Sequence, residues 1–65
     1  MRVRVNGEWE QTEDRTVGDV LRRWGLENKK VVVEANGTIL EPASWDATAL
    51  TDGMILEIVH FVGGG

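Results

Sequence analysis

The residues best suited to chemistry stand at the end of the sequence. Met54-Ile-Leu-Glu-Ile-Val-His-Phe-Val62 is rich in branched apolar residues, and Gly63, Gly64 and Gly65 follow it. The first stretch predicts a buried strand. The second carries no side chains, so it fits a narrow channel and leaves its amide groups free to pair with the channel walls. The one chemical group it presents is the carboxylate of Gly65. A carboxylate is a poor acceptor for sulfur or nitrogen nucleophiles. Attack on the α-phosphate of ATP turns it into an acyl-adenylate, which is open to substitution. That chemistry requires residues 63–65 to enter another enzyme's nucleotide site, and it makes the Gly65 carboxylate the expected working group. The competing reading is a disordered end or an expression scar. Against it, the glycines follow the strand pattern directly, with no serine or tag residue between.

Strand alternation places Val59 and Phe61 on the outward face, with Val32 alongside and Val62 at the base of the tail. These four form an expected docking strip for the activating enzyme, because partner surfaces expose apolar groups. The bland alternative is ordinary apolar surface on a small protein. His60 is the single histidine and is read as structural. Asp46 and Asp52 join no base or nucleophile in any motif, and no serine or threonine has a histidine constellation. Residues 63–65 are no phosphate loop, since neither a lysine nor a helix follows. No catalytic residue, metal site or bound cofactor is expected.

The elements that must position the tail are few. Sixty-five residues make at most one domain, and such a chain buries only about 60% of its unfolded surface. That leaves no room for a deep catalytic cleft. The absence of cysteine excludes a disulfide framework, a thiolate nucleophile and cysteine metal ligation. Eleven acidic against seven basic residues give a net charge of −4, which disfavours nucleic acid as a partner. There is no signal-peptide core and no apolar run of membrane-spanning length, so a soluble, cytoplasmic protein with no membrane partner is expected.

Arg2 to Val5 alternates and predicts a half-buried strand, and Asn6-Gly7 then signals a hairpin. Glu8 to Thr12 is the return strand, charged as an edge should be, with Trp9 as a half-buried packing residue. Thr16 is the expected helix N-cap, with Asp19 three residues on. Val17, Val20, Leu21 and Trp24 form one apolar stripe, Arg22 and Arg23 occupy the last turn, and Gly25 with Leu26 closes the helix. Close packing against the sheet is one reason for Gly18. Val31 to Ala35, Asn36-Gly37 and Thr38 to Leu40 predict a second hairpin, with Val31, Val33 and Ala35 toward the helix. Ala43 to Ala49 has no clear period and reads as a loop or one helical turn, with Trp45 and Leu50 plugging the core. In the last strand Leu56, Ile58 and His60 share one face, and Ile55, Glu57, Val59 and Phe61 the other. A helix with one apolar stripe must cover one face of a sheet. The expected fold is therefore α+β: a β-grasp, in which a mixed sheet of about five strands curls over one helix. The last strand lies in the middle, parallel to the first. Residues 1–62 form the domain and 63–65 a flexible tail.

The sequence resembles the ThiS family, sulfur carrier proteins of thiamine biosynthesis within the ubiquitin-like β-grasp group. The matching pieces are Val-Asn-Gly at 5–7, Thr-Val-Gly-Asp-Val-Leu at 16–21 and Val-Val-Glu-Ala-Asn-Gly at 32–37. Trp45 after Pro42, Leu-Thr-Asp-Gly at 50–53 and the closing Glu-Ile-Val-His-Phe-Val-Gly-Gly-Gly at 57–65 complete them. Met54 departs from the pattern, since family members often carry Asp after the Asp-Gly turn. The resemblance implies that an E1-like adenylyltransferase uses ATP to adenylate Gly65. A sulfur-donating enzyme then converts the adenylate to a thiocarboxylate, which delivers sulfur to thiazole synthase. The chain itself is then a carrier and not an enzyme. Two other readings share the tail: the small subunit of molybdopterin synthase, and a ubiquitin-like modifier joined to lysines.

Overall fold

The computed structural model describes residues 1–61. Two hairpins set its frame. The first comprises β1 (Arg2–Val5) and β2 (Glu8–Gln11), and the second β3 (Val31–Ala35) and β4 (Thr38–Leu40). Both turn on Asn-Gly, with φ near +50° at Asn6 and Asn36 and near +85° at Gly7 and Gly37. A two-residue hairpin loop of this type needs positive φ at both positions. Between the hairpins lies α1 (Val17–Arg23); a 3₁₀ helix (Pro42–Ala47) and β5 (Ile55–His60) complete the chain.

The sheet order is β2-β1-β5-β3-β4. The last strand takes the middle, parallel to β1 and antiparallel to β3. This is the expected mixed sheet over one helix. The two asparagine side chains extend its bonding. The Asn6 amide donates to Ile58 O and accepts from Ile58 N, at 3.0 and 2.7 Å. Asn36 Oδ1 accepts from Ile55 N at 2.9 Å. Each turn thus fastens its hairpin to β5 as well as reversing the chain.

Helix α1 begins with the expected capping box. Thr16 Oγ1 accepts from Asp19 N, and Asp19 Oδ2 accepts from the N–H groups of Thr16 and Arg15. At the other end Leu26 N donates to Leu21 O and Gly25 N to Arg22 O, with Gly25 at φ +74°. That is the paired bonding of a Schellman ending. The core gathers Val3 and Val5 from β1, Val17, Val20 and Leu21 from α1, Val33 and Ala35 from β3, Leu56 and Ile58 from β5, and Leu50 and Met54 from the connections. Met54 is buried there, where an apolar residue suits the position.

Four details depart from the sequence reading. Trp24 is the C-cap residue, and its side chain is exposed instead of extending the core stripe. Trp9 lies on the face away from the helix, because it pairs with Arg4 while Val3 and Val5 point inward. Its ring is 47% exposed and sits 4.6 Å from the Arg2 guanidinium. A cation over an indole face compensates for the missing core contact. Gly18 meets the 3₁₀ helix and not the sheet; a Cβ there would collide with the Asp46 carboxylate, which is paired with Arg22. His60 shares the inward side of β5 but is exposed. Residues 43–49 are part of the six-residue 3₁₀ helix, started by Pro42, and its exit. Trp45 packs partly against the core from this segment, its indole N–H buried without an acceptor among the described residues.

The Arg22 bond, together with the Arg15 and Thr16 amides, lowers the Asp19 pKa from 3.8 to about 2. A depressed carboxylate stabilises the fold above its unfolded pKa, and the contribution fades as pH falls through the folded value. Asp19→Asn should therefore flatten the fall in Tm between pH 3.8 and about 2, read by circular dichroism. Thr16→Ala should cost about 1 kcal/mol in urea unfolding at neutral pH.

Candidate functional site

The site is built where β5 ends. Strand β5 is bonded on both edges along its first half, to β1 and the Asn6 amide on one side and β3 on the other. Its last paired residue is His60, opposite Val31, and Phe61 N then donates to Lys30 O at 3.0 Å. The backbone is thereby held up to the last described residue. Val62, Gly63, Gly64 and Gly65, three expected tail positions and one of the four expected docking residues, lie outside the described residues, as does the expected 62/63 domain boundary.

The three remaining docking residues come together. Val32 and Val59 are directly opposed in the β3–β5 ladder, and Phe61 lies two residues beyond Val59 on the same side of the chain. They are 36%, 51% and 58% exposed, respectively. Strand alternation is the cause: Val33 and Ile58, their neighbours, point into the core. The same outward face carries Ile55 on β5 and Ile39 on β4, both exposed. Ile39 faces Glu34 across the β3–β4 ladder, and Glu34 faces Glu57 across β3–β5. The sequence reading missed Ile39 and Ile55 as members of this patch. Their outward direction was available from alternation, but their nearness to Val59 depends on strand order.

The opposite face is covered by α1 and locked by charge. Arg22 bridges Asp19 and Asp46 at 2.8 and 2.9 Å, while Arg23 joins Asp14 at 2.7 Å and Glu10. These acids raise both guanidinium pKa values: Asp46 then Asp19 for Arg22, and Glu10 then Asp14 for Arg23. Three of the four ion pairs tie the helix to its surroundings and the fourth, Arg22–Asp19, lies within it, so the charges on that side serve the fold. Asp52 accepts from Arg2 N at 2.8 Å, which fixes the turn before β5 against β1. Among the described residues no helix is long and apolar enough to cross a membrane. The described face is an exposed apolar strip beside the end of a firmly held strand.

Known proteins agree with this architecture. Residues 2–65 match the model of the ThiS family. The sulfur carrier protein ThiS of Bacillus subtilis (strain 168) is 46% identical over 50 residues, covering 77% of this chain and 76% of that protein. A thiazole synthase of Paramagnetospirillum magneticum is 39% identical over 66 positions, covering all of this chain but only 20% of that protein. The chain thus spans about a fifth of that relative's length. A crystal structure of a thiamine biosynthesis protein (ThiS) from Geobacter metallireducens superposes with a TM-score of 0.81 at 33% identity, with both chains fully covered. With the family model matched from the first strand to the last glycine, the chain belongs to the ThiS family.

Proposed function

We propose that this protein is the sulfur carrier of thiamine thiazole formation. Its Gly65 carboxylate is adenylated by an E1-like adenylyltransferase at the expense of ATP. A sulfur-donating enzyme then displaces AMP and leaves a thiocarboxylate, and thiazole synthase takes the sulfur. The observation that carries this reading is the full-length family match, which reaches residue 65 and includes the glycine run. The B. subtilis relative's name supports the carrier role. Stretches resembling this whole chain also occur within two proteins named thiazole synthase, which supports that enzyme as the acceptor. These relatives favour the thiamine reading over a molybdopterin synthase subunit or a lysine-linked modifier. No bound cofactor has a part in the scheme, since ATP belongs to the activating enzyme, and the cytoplasm, where ATP is at hand, is its proposed location.

The division of labour has a physical basis. The body contributes no acid, base or nucleophile to the reaction; it contributes placement. Val32, Val59, Phe61 and Val62 dock, and residues 63–65 reach the nucleotide. Glycine leaves the acyl carbon unshielded and the channel narrow.

Incubation with ATP, the activating enzyme and a sulfur source should exchange one oxygen for sulfur at the terminus, read by intact-protein mass spectrometry. One extra residue after Gly65 should abolish that exchange without changing Tm; normal thiolation of the extended chain would overturn the reading. Val59→Ser with Phe61→Ser should raise the activating enzyme's KM for the carrier at least about tenfold, since each loses an exposed apolar contact worth about 1 kcal/mol or more. Both side chains are more than half exposed, so the double variant should unfold within about 1 kcal/mol of the parent.

A further inference from the structure

The chain carries the same reactive dipeptide twice, and the structure holds the two copies differently. Asn6-Gly7 and Asn36-Gly37 each form the two-residue turn of a hairpin. An asparagine before glycine is open to attack by its own backbone, because the following residue has no Cβ to hinder the approach. The glycine nitrogen attacks Cγ. A new N–C bond closes a succinimide ring, the Cγ–Nδ2 bond breaks, and the amide proton leaves with that nitrogen as ammonia. Water then opens the ring at either carbonyl and gives aspartate or isoaspartate. Asn28, the third asparagine, precedes Lys29 and lacks this opening.

Backbone geometry does not separate the two turns. The angle φ is +50° at Asn6 and +49° at Asn36, and +85° and +86° at the glycines that follow. Both asparagines are exposed. A Cβ on either glycine would meet nothing within 4 Å, and neither glycine N–H donates to another backbone group among the described residues. The side-chain amides do separate them. Asn6 is held at both ends by one residue of the central strand: Oδ1 accepts from Ile58 N at 2.7 Å, and Nδ2 donates to Ile58 O at 3.0 Å. Asn36 is held only through Oδ1, by Ile55 N at 2.9 Å. Its Nδ2, the group that must leave, has no hydrogen-bond partner among the described residues. Ring closure turns the carboxamide toward the glycine nitrogen, which breaks two bonds to β5 at Asn6 and one at Asn36. We propose that Asn36 is a self-modification site, where the folded chain deamidates, and that Ile58 keeps the same chemistry silent at Asn6. The additional bond lowers the reactive population at Asn6 by about five- to tenfold. The products differ as well. Aspartate at 36 still offers an oxygen to Ile55 N, whereas aspartate at 6 sets a carboxylate oxygen against Ile58 O, where a donor is required. Isoaspartate at 36 adds a backbone carbon to the turn, so Ala35 and Thr38 lose register and the edge strand β4 is released.

The test incubates the whole chain at mildly alkaline pH, folded and, in parallel, unfolded in guanidinium chloride. Peptide mass spectrometry follows each asparagine, reading acid in place of amide and separating aspartate from isoaspartate. Unfolded, the two Asn-Gly sites should react at similar rates. Folded, Asn6 should fall behind Asn36 by at least about fivefold once each is divided by its own unfolded rate. Equal protection, or faster loss at Asn6, overturns the proposal. So does a folded chain in which Asn36 reacts no faster than Asn28. The products are tested by Asn36→Asp and Asn6→Asp. The first should keep Tm close to that of the parent, and the second should lower it or prevent folding. If Asn6→Asp is as stable as Asn36→Asp, the Nδ2 bond to Ile58 O holds nothing, and the assignment of Ile58 as the protecting residue is wrong.

Discussion

The hydrogen-bond saturation of β5 is the constraint on which the rest depends. A strand in the middle of a sheet must have partners on both edges, or its buried amides go unpaid. Here β1 and β3 supply most of them, and the side-chain amides of Asn6 and Asn36 supply more at Ile58 and Ile55. The two hairpins are separated by the helix and by many residues of chain. They are joined through the last strand, which neither contains. Without β5 the frame would be two marginal hairpins.

That dependence couples fold to function. The strand that closes the sheet is also the last described element, so every core contact of Leu56 and Ile58 steadies the chain up to Phe61. Alternation then gives the same strand a second task. Its inward residues anchor it, and its outward residues, Ile55, Glu57, Val59 and Phe61, stand on the open side of the sheet. The helix side is closed by the Arg22 and Arg23 networks, which leaves the outward face as the open one. Under the proposed carrier role such a division suits a small protein, with the chemistry assigned to a terminus and recognition to one side of a sheet.

Several features work against stability. Trp9 is not spent on the core; it lies under Arg2 on the outer face. Glu34 opposite Glu57 opposes sheet formation, and Trp45 carries an unpartnered indole N–H among the described residues. Against these stand the capping box, the Schellman ending and two turns with side chains bonded to the central strand. The helix is only seven residues long, too short to persist without such ends and the sheet beneath it.

The sequence by itself determined the local pieces. Asn-Gly twice, Thr16 with Asp19, Gly25 with Leu26 and the alternation of residues 31–35 and 55–61 are governed by neighbours along the chain, and all appear where the pattern placed them. The central place of β5 was legible too, because it is the longest and most apolar strand. What only the tertiary structure decided were the partnerships across the chain. Gly18 was visible as an oddity, but its neighbour Asp46 lies in another element. Trp9 was read as a half-buried packing residue and Trp24 as part of the core stripe, yet register sent the first to the outer face and the Schellman ending left the second exposed. The Glu34–Glu57 opposition requires the register of two strands that are distant in sequence. Periodicity gives the direction of a side chain; only the packed sheet says whose side chain it meets.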